Sequence, residues 1–156
     1  MQGRAHPLRT SVLACAALCL SIASAAGVCG RGVASASTPD PCTVLPMSQL
    51  RTWFGKEVVS RPARGGPQEN GCQWLPKDGS PGGLALMLGP AASFSPPTHR
   101  FGYKALSGIG EKAYIVPVQG GWEAGTLKGG TSVWVRSPNL SNIIAPALLK
   151  TIVAKL

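Results

Sequence analysis

Gly71-Cys72-Gln73-Trp74 places one cysteine and one indole two positions apart on a short segment. In an extended chain, side chains at i and i+2 leave the backbone on the same face, so Cys72 and Trp74 are expected to enter the core together. The expected partner of Cys72 is Cys42, in Asp40-Pro41-Cys42, because these are the only cysteines beyond the N-terminal segment. A bridge between them closes a loop of about thirty residues, which in the chain-entropy picture stabilises a fold by roughly 3 to 4 kcal/mol. Metal ligation by the same pair lacks further ligands, since His99 is the only histidine in this part of the chain. The segment organises a core and supplies no chemistry of its own.

Working outward to the N-terminus, residues 1–36 read as an export signal. Arg4 and Arg9 form a positive start, Ser11 to Cys29 is an apolar run without a charge, and Ala34-Ser35-Ala36 offers small residues for cleavage. The signal absorbs Cys15, Cys19 and Cys29, which leaves an even pair for an oxidising exterior. The mature chain is expected to begin at Ser37, in the secreted space or the extracytoplasmic cell envelope. Two alternatives stay open. Cys29 is a candidate lipid anchor, though Val28 fits poorly before an acceptor cysteine, and the apolar run is nearly long enough to span a bilayer uncleaved.

Residues 37–156 make one domain's worth of chain, enough to bury a core. Twelve of the fifteen basic residues and all six acidic ones fall there, a net charge of +6. Export removes nucleic acid as a partner for that charge. An anionic envelope polymer, lipid headgroups or another envelope protein are compatible with it, and so is a basic surface without a specific partner.

Along this domain, Pro46 to Gly55 carries Met47, Leu50, Trp53 and Phe54 at helical spacing, between a proline suited to a first turn and a glycine suited to an exit. Lys56 to Ser60 is a candidate strand, and Arg61 to Gly71 reads as a loop. Strands follow at Cys72 to Pro76 and at Leu84 to Leu88, the latter apolar on both faces and therefore central. Gly89 to Phe101 reads as a long excursion over the surface. Ala113 to Val118, Trp122 to Leu127 and Thr131 to Arg136 are strands joined by turns short enough for an antiparallel meander. Ile144, Leu148, Leu149, Ile152, Val153 and Leu156 form the apolar stripe of a closing helix, with Asn142 or Ser141 near its cap. The pattern predicts an α+β domain: an antiparallel sheet of five or six strands with N- and C-terminal helices packed on one face.

Asp40-Pro41-Cys42, the short helix ending Trp53-Phe54-Gly55, Cys72-Gln73-Trp74 and Gly108-Ile109-Gly110-Glu111-Lys112-Ala113, taken together behind a signal, resemble a large actinobacterial family of exported proteins. Most members of that family are lipoproteins, and its domain has no assigned function. The resemblance covers nearly all of the mature chain and implies a bridge between the two cysteines. It implies no catalytic residues, and this chain departs from it in lacking a good lipid-acceptor motif.

Candidate sites are few. The glycines of Ser107-Gly108-Ile109-Gly110-Glu111 precede a strand and lack a third glycine, so they read as a turn and not as a nucleotide loop. His99 has no evident catalytic or metal-binding partner. A carboxylate pair would have to come from Asp40, Glu57, Glu69, Asp78, Glu111 and Glu123, and the sequence does not single out two. No cofactor, metal or catalytic set is expected. The surface favoured for binding is the second face of the sheet: if Val133 and Val135 face the helices, Trp134 and Arg136 face away, with Tyr114 and Trp122 expected beside them. The competing expectation is that the excursion covers those rings. The function expected is that of an exported, non-catalytic protein binding a ligand or partner. A regulatory interaction module and a hydrolase with an unrecognised site are the alternatives.

Overall fold

The computed structural model describes residues 38–156, so the export signal, its cleavage site and Cys29 lie outside the described residues. Asp40 opens the fold as a helix cap. Its side chain accepts the Cys42 backbone N–H at 2.9 Å, and Pro41 occupies the first turn of α1 (Pro41–Val44), where a missing N–H leaves no bond unmade. Pro46 stands one position earlier than expected, at the cap of α2 (Met47–Phe54) and not inside it. The helix stops at Gly55, whose φ of 66° is left-handed and whose N–H returns to the Arg51 carbonyl.

The strands are β1 (Val58–Arg64), β2 (Asn70–Pro76), β3 (Leu84–Pro90), β4 (Lys104–Leu106), β5 (Lys112–Val118), β6 (Gly121–Lys128) and β7 (Thr131–Ser137). They form one antiparallel sheet in the order β1-β2-β3-β7-β6-β5-β4. Two meanders, β1-β2-β3 and β4-β5-β6-β7, thus share a single seam between β3 and β7. Among the described residues the count is seven and not five or six. The strand that sequence periodicity missed is β4, whose three residues are too few to show alternation. β1 also runs on to Arg64 through a stretch expected to be loop. It is an edge strand, where Pro62 removes no needed ladder bond.

The alternation expected for β7 holds. Val133 and Val135 are buried against the helical layer, level with Leu88 and Leu86 of β3. Leu148, Leu149 and Ile152 of the closing helix α3 (Ile144–Val153) join the same core, while Leu156 lies past the helix end and is exposed. Ser141 receives the backbone N–H of Ile144 at 3.2 Å and caps the entry to α3. All three helices lie on this face, with Val44 of α1 and Leu50 of α2 in the same cluster.

Cys72 and Trp74 do enter that core together, both fully buried. Cys72 is bridged to Cys42 with a Cα separation of 5.0 Å, which ties α1 to β2. Among the described residues, no helix is long and apolar enough to cross a membrane.

The glycine-rich segment before β5 is a turn, as expected. Gly110, at φ 58°, sits against Leu127 and Thr126, and the buried Thr126 hydroxyl donates within reach of the Lys112 and Ile109 carbonyls at 2.9 and 3.2 Å. Ile109 is tucked into the core beside it.

Because the bridge ties a terminal helix to an inner strand, Cys72→Ser is expected to lower the unfolding free energy by about 2 to 5 kcal/mol in urea titrations. Intact mass of a chain beginning at Ser37 should show no free thiol before reduction.

Candidate functional site

Among the described residues, the second face of the sheet carries no α-helix. Its central feature is one register row crossing all seven strands: Ala63, Gly71, Met87, Trp134, Gly125, Tyr114 and Ala105 are successive cross-strand partners. Large residues in the row lean over small ones. Met87 lies where a side chain at Gly71 would stand, and the Tyr114 ring lies within 2.5 Å of where a Cβ at Gly125 would be. Glycine is required at both positions by space and not by backbone strain. Trp134, between these two leaning neighbours, stays half-buried at the floor of a cleft of about 450 Å³.

The excursion from β3 to β4 supplies the roof. A single 3-10 turn (Ala91–Ser93) and the following Phe94 and Ser95 line the cleft opposite the sheet. The Phe94 ring stands 5.9 Å from that of Tyr114, tilted by 55°. The Tyr103 ring stacks 6.0 Å from it. The excursion therefore covers Tyr114, which is 4% exposed, and leaves Trp134 partly open. Each of the two expectations for this face holds at one ring.

Two carboxylates reach the same space, and the sequence did not pair them. Glu69, in the turn between β1 and β2, passes over Gly89 and accepts the Gly66 N–H at 2.9 Å. Glu123, on β6, accepts the Tyr114 hydroxyl at 3.1 Å. Ser93 and Ser132 add hydroxyls, and Arg64 stands exposed at the rim.

Trp122 is not part of this site. It pairs with Ser137 and Pro117, shares the face of Val133 and Val135, and packs on the helical core. The reason is the β6–β7 turn: Gly129 and Gly130 both have positive φ and form a two-residue hairpin turn, so Lys128 pairs with Thr131 and every even residue of β6 faces the helices. Arg136 is on the expected face, opposite Glu123, but its guanidinium turns to the Gln119 carbonyl at 3.4 Å. It lines a separate shallow depression of about 580 Å³ with Arg100, Phe101, Pro117 and Val118. Phe101, which the sequence did not single out, is 97% exposed there. His99 is exposed on the excursion and does not line the cleft.

Comparison of the chain with protein-family models, with curated proteins and with solved structures found no match.

Burial, and next the adjoining Glu123 carboxylate, hold the Tyr114 phenol far above its ordinary value near 10. The folded state therefore favours the neutral phenol. The stability this contributes is complete below about pH 10 and is lost as pH rises above it, because the unfolded chain releases the proton first. Urea titrations at increasing pH should show wild type losing stability above pH 10 more steeply than Tyr114→Phe. Parallel pH profiles would show that Tyr114 is not held in this environment.

Proposed function

We propose that this chain is an exported, non-catalytic binding domain of the cell envelope or the secreted space, which takes a small ligand in the cleft over Trp134. The observation that carries this reading is the half-open indole at the floor of a cleft of about 450 Å³, lined by Met87, Phe94 and Trp134 together with the Glu69 and Glu123 carboxylates and serine hydroxyls. Small-molecule sites have this size and this composition. Membership of the exported actinobacterial family is part of the proposal, and the Cys42–Cys72 bridge is compatible with an oxidising compartment.

Serine hydroxyls are present, but neither a histidine nor a cysteine lines the cleft to activate or replace them. The hydrolase alternative would have to use Glu69 and Glu123. It predicts turnover of a glycosidic or ester probe that Glu123→Gln abolishes.

One further observation favours a second, compatible contact. Phe101 projects from a depression flanked by Arg100 and Arg136, and neither arginine is ion-paired among the described residues. An exposed ring and two arginines lining one depression suit an anionic envelope polymer.

Thermal-shift screening of small cations, anions and neutral sugars tests the main reading. At least one class should raise the melting temperature of wild type and leave Trp134→Ala unmoved, while Trp134→Ala alone melts close to wild type. A loss of roughly 3 to 5 kcal/mol on Trp134→Ala, the cost of truncating a core aromatic, would place that ring in the fold and out of any site. Phe101→Ser with Arg100→Ser should leave those shifts intact and weaken retention on an anionic polymer resin.

A further inference from the structure

The chain is basic, and among the described residues two of its six acidic side chains are ion-paired while the other four accept hydrogen bonds from neutral donors only. Glu57 is paired with Arg51 at 3.1 Å and Asp78 with Lys56 at 3.5 Å. Asp40 caps α1, and Glu111 holds the Gly129 N–H at 2.7 Å. The remaining two, Glu69 and Glu123, are the two that line the cleft. Each accepts one hydrogen bond from a neutral donor, and neither is ion-paired among the described residues. The cation nearest to Glu123 in register, Arg136, is turned away to a carbonyl.

We propose that the cleft selects organic cations, holding an ammonium head between its aromatic lining and the Glu69 and Glu123 carboxylates. This deepens the reading of the cleft as a ligand site and rests on it. The faces of aromatic rings attract cations, most strongly when water is excluded, and the partly open rings of Phe94 and Trp134 border this space. Met87 adds a polarizable thioether to the wall.

Desolvation decides between a cation and a neutral polyol of similar size. A ligand that closes the cleft strips water from Glu123, which is already half-buried. A carboxylate losing water without gaining an opposite charge is penalised, whereas an ammonium brings the compensating charge with it. The net positive charge of the domain opposes a cation only at long range, and salt screens that term beyond about 8 Å at physiological ionic strength. Within the cleft two carboxylates face one cation, Arg64, which is exposed at the rim. The volume exceeds that of an ammonium head, so a natural ligand carries an organic body as well.

Choline and its uncharged isostere 3,3-dimethylbutan-1-ol, titrated calorimetrically into the mature domain, separate charge from shape. Choline should bind at least about tenfold more tightly than the isostere, and Glu123→Gln or Glu69→Gln should reduce that preference several-fold. Removing the competing charge by Arg64→Gln should strengthen choline binding. Trp134→Ala should weaken both probes. Equal affinity for the two probes, or a preference untouched by both glutamine variants, would overturn the cation proposal and leave a ligand cleft of another class. Failure of both probes, with no other compound class stabilising the wild type, would overturn the cleft reading itself.

Discussion

The pairing of β3 with β7 is the contact on which both faces of this domain depend. It is the one seam between two meanders, and it sets Leu86 and Leu88 beside Val135 and Val133 on one side and Met87 beside Trp134 on the other. A slip of one residue would turn Trp134 into the helical core and two valines out to solvent. The helix-face core specifies the register, because three helices bury their apolar sides there. The bridge from Cys42 to Cys72 reinforces it by holding α1 against β2, the strand next to β3.

With the seam fixed, the second face follows from a row of small and large residues. Gly71 lets Met87 fold away from Trp134 over β2, and Gly125 lets the Tyr114 ring lie over β6 on the side toward Trp134. The crossover from β3 to the far edge then passes over this face, closing on Tyr114 through Phe94 and Tyr103. A cleft remains over Trp134, where the roof is incomplete. The fold thus leaves the Trp134 ring partly open on the face of the sheet opposite the helices.

Much of this was legible in sequence because it is local. The period-two spacing of Cys72 and Trp74 put both in the core, and the alternation of Val133, Trp134 and Val135 assigned opposite faces. What was not legible depends on register and on long-range return of the chain. Trp122 was misplaced because its face hangs on whether the Lys128-Gly129-Gly130 turn holds two or three residues, a difference of one position that reverses every side chain of β6. β4 was too short to show a period. Glu69 and Glu123 line one cleft only because the β1–β2 turn and β6 both border it, and no spacing rule connects residues so placed. Phe101 carried no signal beyond its position in a proline-rich excursion.

The four tryptophans offer the most direct reading of where a ligand sits, since Trp134 lies on the second face while Trp74, Trp53 and Trp122 belong to or pack on the helical core. Nitrogen-edited NMR of the indole N–H groups during a choline titration resolves all of them at once. The structure predicts that the Trp134 resonance moves with saturable dependence on choline while those of Trp74, Trp53 and Trp122 stay in place. Movement of a helix-face indole with Trp134 silent would contradict it, and would put any ligand on the opposite side of the sheet.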